Sequence, residues 1–215
     1  DKHVTGVQTC ALPIYVPLTF DGKAHFNIAN VLAAIGAAIA MGVKNENINA
    51  ALTTFFPSYS QTPGRLTMFD MGPYKALVDF AHNVAGYDAL AEFVRSLNPE
   101  NTIATICLPG DRRDEDFQNV AKTVAETFNQ VILFEGYLRG KKTGYISNIL
   151  QKYLILYGME SNKIEIITDE HDAVQYALDL AQEGDLLVIS NYDIKGVHSK
   201  LIEHKKIMET KETIN

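Results

Sequence analysis

The sequence predicts an α/β fold, a Rossmann-like doubly wound and mostly parallel sheet, preceded by a helical segment. Short apolar runs alternate with amphipathic stretches between residues 66 and 190, which is typical of strands alternating with helices. Polar residues lie at or soon after the ends of several of these runs, as at Asp79, Asp111 and Glu135. Because right-handed crossovers cover both faces of a parallel sheet with helices, we expect these polar residues at the carboxyl ends of the strands, where such sheets bind ligands.

The composition is that of a globular protein and excludes several classes of function. Of the 215 residues, 47% are hydrophobic and 21% are charged. The net charge of -7 offers no basic surface for nucleic acid or an anionic membrane. The apolar residues 28–43 are fewer than the ~20 that a membrane span needs. Cys10 and Cys107 show neither a disulfide pattern nor metal-ligand spacing, so we expect a cytoplasmic protein and no metal ligands in this chain.

The sequence divides into segments of different character. Residues 1–14 contain VTGVQTCALPI, which resembles the in-frame translation of a sequencing-library adapter; the alternative is an ordinary irregular lead-in. Residues 15–63 are expected to be mainly helical, and the turn-rich run PSYSQTPG predicts a domain boundary before residue 64. Residues 64–193 form the predicted α/β domain, and the charged residues 194–215 form a terminal helix or tail.

Each element is predicted from its local pattern. Weak alternation predicts a strand over residues 15–20, followed by an Ala-rich helix over 27–42 and a second helix over 46–55. Strands over 66–70 and 75–79 flank Gly72 and Pro73 and predict a hairpin or paired strands. The remaining helices are expected over 85–97, 115–128, 145–157 and 172–182, and the remaining strands over 102–108, 131–134, 163–167 and 185–190.

Residues 78–87 concentrate polar groups between a strand and a helix. Asp79 can accept hydrogen bonds from ribose hydroxyls, and His82 and Asn83 can donate to anionic oxygen. The free N–H groups of the first helical turn also favour phosphate. The alternative is an ordinary strand-to-helix turn in which Asn83 is the N-cap of the helix.

Four stretches taken together resemble one known family. They are FNIAN at residues 26–30 with the Ala-rich helix, TPGR at 62–65, VDFAHN at 78–83 and PGDRRDED at 109–116. This set is similar to the Mur ligase superfamily, whose ATP-dependent enzymes join an amino acid to a carboxylate through an acyl phosphate. Most members carry a Lys-containing variant of the last loop. The GDRRDED form resembles the members that join arginine to poly-aspartate.

The resemblance, which runs from about residue 16 to about residue 190, implies a nucleotide site. In the family, polar residues that open the Ala-rich helix contact adenine, an Arg at the domain junction reaches the nucleotide, and an acid takes the ribose hydroxyls. The implied ATP-binding residues are Asn27, Asn30, Arg65, Asp79 and Asn83. Many members have His-Asn where this chain has Phe26 and Asn27, and the alternative role of Asn27 is that of an N-cap.

The resemblance also implies catalytic side chains close to the phosphates. Arg112 and Arg113 would stabilise the negative charge that develops during phosphoryl transfer, and His82 would lie near the terminal phosphates. The alternative for the loop at 110–116 is a solvated charge run whose members pair with one another and cap the helix, since exposed ion pairs contribute only ~0–1 kcal/mol.

A third set of residues is expected to bind the substrate. Asp111 and Asp114 would hold a cationic group, and Glu135 or Arg139 would help to recognise the amino acid. The alternative for the loop at 135–140 is a Gly-punctuated connection without a ligand.

The chain lacks a G-x-x-x-x-G-K-[ST] phosphate loop. In the family this loop, the Mg²⁺ ligands and the first carboxylate site lie upstream, so the resemblance implies an inactive C-terminal fragment. The complete enzyme would use ATP and Mg²⁺ to join arginine to a poly-aspartate chain, and could be a homo-oligomer. The alternatives are a peptidoglycan-precursor ligase, a folylpolyglutamate synthetase, or a non-catalytic α/β nucleotide-binding module.

Overall fold

The computed structural model describes residues 15–214. The adapter-like run predicted at residues 4–14 lies outside the described residues. The chain divides into two compact units, one ending at Thr62 and one beginning at Pro63. None of the helices within the described range has the length and apolar character needed to cross a membrane.

The first unit is helical. A short 3-10 turn at Pro17–Thr19 precedes α1 (His25–Ala40) and α2 (Asn45–Thr54). The strand predicted over residues 15–20 is therefore wrong. Pro17 has no N–H for a strand ladder, and Phe20 adopts a φ of 51°, which turns the chain instead of extending it. The buried side chains that hold this unit together are Val16, Val31, Ile35 and Ile48.

The second unit is built on a six-stranded sheet. In chain order the strands are β1 (Thr67–Asp70), β2 (Lys75–Asp79), β3 (Asn101–Ile106), β4 (Gln130–Leu133), β5 (Ile164–Ile166) and β6 (Asp185–Ser190). Across the sheet their order is β1-β2-β6-β3-β4-β5. The β1–β2 hairpin is antiparallel and every other pairing is parallel, which confirms the predicted mostly parallel sheet and the predicted hairpin.

Helices cover this sheet. They are α3 (Val84–Ser96), α4 (Asp114–Ala125), α5 (Tyr145–Leu156), α6 (Glu170–Leu180) and α7 (Ile194–Ile214). All residues of β6 are buried, as expected of a central parallel strand covered on both faces. Apart from the failed strand at 15–20, the predicted elements preceding α7 are present, with ends displaced by at most three residues.

The strand register determines which loops meet. Asp79 at the end of β2 lies opposite Ser190 at the end of β6, and Ile106 at the end of β3 lies opposite Leu133 at the end of β4. Thr105 of β3 lies opposite Ile189 of β6, which joins the two pairs. The loops that follow β2, β6, β3 and β4 therefore leave the sheet side by side. We call this the carboxyl edge.

Candidate functional site

Asp79 is a half-buried acid at the carboxyl edge. Its carboxylate accepts a hydrogen bond from the backbone N–H of Leu66 at 3.0 Å. Burial raises the pKa of Asp79 to about 6, although the Leu66 N–H and the nearby Arg65 guanidinium act in the opposite direction. The carboxyl group is thus fixed by the segment that leads into β1, and it titrates near neutral pH.

Two further predicted side chains gather around Phe80, the residue after Asp79. The Arg65 guanidinium lies over the Phe80 ring, 5.2 Å from its centroid, and its Nη1 donates to the Phe80 carbonyl at 3.4 Å. The His82 ring lies 4.9 Å from the Phe80 ring, and its Nδ1 is 3.0 Å from the same carbonyl oxygen. The structure therefore brings Arg65, Asp79 and His82 together at the end of β2.

Asn83 caps the helix that follows. Its side-chain oxygen accepts from the backbone N–H of Gly86 at 2.8 Å, and its extended backbone precedes α3. The N-cap alternative is therefore observed for this residue. Its contact with ATP stays a prediction.

Arg113 pairs within its own loop. Its Nη2 and Nε donate to the two carboxylate oxygens of Asp116 at 2.7 and 3.1 Å, and its backbone N–H also donates to Asp116 at 3.1 Å. These contacts hold the pKa of Asp116 below its usual range, with the Arg113 side-chain hydrogen bond as the largest cause. Arg113 is therefore paired with a neighbour in its own loop at the start of the helix, as the alternative reading of this loop expected.

The other acids of the loop also have partners. Asp114 accepts from the Tyr153 hydroxyl at 2.6 Å and from Gln118 Nε2 at 3.1 Å. Asp111 lies 3.9 Å from Nε of Arg139, in an exposed ion pair. Both predicted substrate-binding acids are thus already in contact with protein groups, and their contact with substrate stays a prediction.

Arg112 differs from its neighbours. Its Nε is buried and has no hydrogen-bond partner. Within the described residues its guanidinium takes part in no hydrogen bond or ion pair, although the adjacent side chains of the loop are paired. The loop therefore presents one cation that has no protein partner among the described residues.

Glu135 and Arg139 lie in the loop after β4. Glu135 Oε2 accepts from Gly144 N–H at 2.7 Å, and Oε1 accepts from Ile146 N–H at 3.0 Å and from both N–H and Oγ of Ser147 at 3.1 Å. This carboxylate therefore caps the start of α5. The Arg139 guanidinium lies over the Tyr137 ring at 5.1 Å. Recognition of an amino acid by either residue stays a prediction.

Asn27 and Asn30 lie in the first unit, on the opening turns of α1. Asn27 Nδ2 donates to the carbonyl of Leu18 at 2.8 Å, and Asn30 Nδ2 donates to Asn27 Oδ1 at 3.4 Å. The N-cap position belongs to Ala24, so the N-cap alternative for Asn27 is wrong. The buried Asn27 instead ties the helix to the preceding turn. Adenine contact for either residue stays a prediction.

Sequence reasoning missed Tyr192, the second residue after β6. Its ring lies 5.3 Å from that of Phe80, 6.2 Å from Phe134 and 4.6 Å from Tyr137, with interplanar angles of 78°, 76° and 90°. Its backbone N–H donates to Glu170 at 2.6 Å. Tyr192 also borders a cavity of about 380 Å³ between the loops after β4 and β6 and the start of α6. The ring contacts that distinguish Tyr192 come from loops far apart in the sequence, so no local pattern could have found it.

Asn191 was also missed. It is 1% exposed, and neither its Nδ2 nor its Oδ1 has a hydrogen-bond partner within the described part of the chain. Its backbone N–H donates to the carbonyl of Asp79 at 3.3 Å, so it lies next to the end of β2. The rule that located Asp79, a polar group where a strand ends, could have found Asn191, because it directly follows β6.

The family of the chain is decided by comparison with known proteins. A family model described as "Mur ligase, glutamate ligase domain" matches residues 64–190. The chain belongs to the Mur ligase family. The predicted resemblance is thereby confirmed.

Cyanophycin synthetases are among the relatives of this Mur ligase chain. The cyanophycin synthetase of Nostoc sp. is 43% identical over 175 residues, which cover 81% of this chain and 19% of that protein. The one from Geminocystis herdmanii is 35% identical over 182 residues, covering 84% of this chain and 21% of that protein. The chain therefore spans about a fifth of the length of these relatives.

Solved structures of other Mur-type enzymes share the fold. UDP-N-acetylmuramate-alanine ligase of Thermotoga maritima matches with a TM-score of 0.61 and 15% identity, over 84% of this chain and 38% of that chain. The E. coli FolC structure with ADP matches with a TM-score of 0.60 and 18% identity, over 82% of this chain and 39% of that chain. At these identities the likeness concerns the fold alone.

The described residues do not fit a metal site of their own. Between residues 15 and 214 there is no group of three or more His, Cys, Asp or Glu side chains that could hold a metal ion. The carboxyl edge of this Mur ligase chain presents a half-buried acid, Arg112 without a partner among the described residues, and a set of aromatic rings. These groups can bind hydroxyls, anionic oxygens and planar or cationic groups.

Proposed function

We propose that this chain is the C-terminal part of an ATP-dependent amide ligase that joins arginine to side-chain carboxylates of a poly-aspartate chain. In this proposal residues 15–63 end the central domain, residues 64–193 are the C-terminal domain, and residues 194–215 are a terminal extension. Residues 1–14 would not belong to the natural protein. Family membership and the cyanophycin synthetase relatives support the reaction class.

The main support for the proposal is that the Nε of Arg112 is buried without a hydrogen-bond partner. The acids beside it have protein partners, so they do not neutralise its guanidinium by direct contact. A buried donor without a partner is costly, and an anionic oxygen of a ligand would satisfy it. Guanidinium stays charged and can form a paired set of bonds to phosphate or carboxylate oxygen. Arg112 therefore supports chemistry on phosphoryl and acyl phosphate groups at this edge.

Asp79 supports the nucleotide part of the proposal. Above its pKa of about 6 the carboxylate can accept from ribose hydroxyls, a contact worth roughly 1.5–3 kcal/mol for a charged acceptor. Arg65 and His82 lie around the adjacent Phe80. In this arrangement the end of β2 would bind the nucleotide, and Arg112 would face the reacting groups.

The reaction then follows in two steps. The γ-phosphoryl group of ATP passes to an aspartate side-chain carboxylate, forming an acyl phosphate and ADP. The α-amine of arginine attacks the acyl carbon, the carbon–oxygen bond to phosphate breaks, and the nitrogen loses a proton as the isopeptide bond forms. Arg112 would stabilise the negative charge on the transferring and leaving phosphoryl oxygens. Mg²⁺, which the family uses, has no fitting ligand cluster among the described residues, so no step is assigned to it.

The test is an assay of the complete gene product that contains this chain. ADP release and amide formation are measured with ATP, poly-aspartate and arginine, and glutamate or diaminopimelate replaces arginine in parallel reactions. We expect amide formation with arginine and none from the isolated chain. Arg112→Ala should slow the reaction by about 10²-fold, in the range for loss of one preorganised charge-stabilising group. Lys152→Ala, on α5, serves as a matched control for loss of a surface cation.

Three outcomes would contradict the proposal. They are amide formation with a different amino acid in preference to arginine, turnover by the isolated chain, or full activity of Arg112→Ala. Turnover by the isolated chain is repeated on Asp79→Ala protein to exclude a contaminating ATPase.

A further inference from the structure

Three aromatic rings form a continuous row across the carboxyl edge. Phe80 follows β2, Tyr192 follows β6, and Tyr137 follows β4. Tyr192 stands in the middle, with its ring 5.3 Å from Phe80 and 4.6 Å from Tyr137, edge to face in both cases. We call Phe80, Tyr192 and Tyr137 the aromatic bridge. The bridge joins three loops that are far apart in sequence.

A guanidinium lies over each end of the bridge. Arg65 lies 5.2 Å from the centroid of Phe80, and Arg139 lies 5.1 Å from that of Tyr137. Arg65 belongs to the proposed nucleotide side, together with Asp79. Arg139 belongs to the side proposed to recognise the amino acid. The bridge therefore spans the distance between the groups expected to bind the two reactants.

The position of the central ring is determined by its surroundings. Its backbone N–H is held by Glu170 at 2.6 Å. A Cβ added at Gly136 would lie 2.6 Å from Cδ2 of Tyr192, so the ring packs directly on the backbone of that glycine. The hydroxyl makes no hydrogen bond among the described residues. The hydroxyl lies next to the Cys107 thiol. The contacts that form the bridge are made by the ring itself.

We propose that Tyr192 is a positioning residue that sets the distance between the nucleotide side and the amino-acid side of the ligase site. The inference rests on the proposed function. Attack of an amine on an acyl phosphate needs alignment, and a displacement of about 1 Å can slow a reaction by about 10²-fold. A misplaced amine leaves the acyl phosphate exposed to hydrolysis by water. Loss of the bridge should therefore separate ATP consumption from amide formation.

The experiment measures ADP released per amide bond formed by the complete gene product with ATP, poly-aspartate and arginine. The unmodified protein should release one ADP per bond. Tyr192→Leu, which removes the ring, should raise this ratio about twofold or more. Tyr192→Phe keeps the ring and is the matched control, with a ratio of one. Because the ratio does not depend on the fraction of active protein, partial unfolding alone does not change it.

Two further variants test whether a raised ratio comes from loss of the bridge and not from a general loss of the fold. Gly136→Ala leaves Tyr192 in the sequence, but its added Cβ should displace the Tyr192 ring and so raise the ratio. Tyr137→Leu alters an exposed end of the bridge, where 46% of the residue is accessible, and should also raise the ratio. A ratio of one in active Tyr192→Leu, Gly136→Ala and Tyr137→Leu proteins would overturn the inference, as would a raised ratio in Tyr192→Phe. If the unmodified protein forms no amide bond, the proposed function fails, and the inference fails with it.

Discussion

Glu135 offers a direct choice between a structural and a substrate-binding role. Its two carboxylate oxygens accept four hydrogen bonds from residues 144–147, at 2.7 to 3.1 Å. Three of these donors are backbone N–H groups at the start of α5, and Ser147 is fully buried. We therefore predict that this carboxylate stabilises the start of α5 whether or not substrate is present.

The expected magnitude follows from these contacts. Glu135→Gln removes the negative charge near the helix N-terminus, a loss of about 0.3–1 kcal/mol. It also turns one acceptor into an NH₂ donor that faces an N–H group, which adds about 1–3 kcal/mol for an unsatisfied buried donor. We expect the free energy of unfolding of the chain to fall by about 1–4 kcal/mol in total.

The assay is urea unfolding of the chain, followed by circular dichroism, with amide hydrogen exchange at Ile146 and Ser147 as a local measure. Glu160→Gln is the matched control, because Glu160 is exposed and its side chain does not cap a helix. The control should change stability by less than about 0.5 kcal/mol. A stable Glu135→Gln chain with unchanged exchange, combined with a raised KM for arginine in the complete protein, would refute the capping argument and favour the substrate role.

Further predictions concern acid titration, helix capping and the first residues. Asp79→Asn should remove a pH dependence of stability. Because the folded-state pKa is raised from 3.8 to about 6, the unsubstituted chain should lose about 2 kcal/mol of unfolding free energy relative to the variant as pH rises from 4 to 6. An equal change of stability in the two proteins between these pH values would contradict this. Nucleotide binding by the complete protein, measured by calorimetry, should weaken below pH 6 and should lose this dependence in Asp79→Asn. Asn83→Ala should lower stability by about 0.5–2 kcal/mol in urea unfolding, whereas an unchanged midpoint would mean that the cap to Gly86 contributes nothing. Deletion of residues 1–14 should leave the melting temperature unchanged, and a clear loss would show that the segment belongs to the fold.

Local pattern was sufficient for most of the elements and for the edge of the sheet at which the candidate residues lie. The apolar run DLLVIS predicts β6 because a strand buried on both faces needs a continuous apolar sequence. Parallel connectivity then places Asp79 and the loop at 110–116 at one edge, as the register confirms. The pattern failed over residues 15–20, where weak alternation was outweighed by Pro17 and by the positive φ of Phe20.

What only the tertiary structure decided is which polar groups remain available to a ligand. The string GDRRDED contains two adjacent arginines of equal charge, and nothing local distinguishes Arg113, bound to Asp116, from Arg112, whose Nε is buried without a partner. Glu135 is occupied by residues nine to twelve positions later, and the Tyr192 ring meets Phe80 from a distant part of the chain. Sequence periodicity determines how a segment buries its apolar face. Hydrogen-bond partners and ring contacts depend on the distances that packing creates between segments, and those distances are absent from any local pattern.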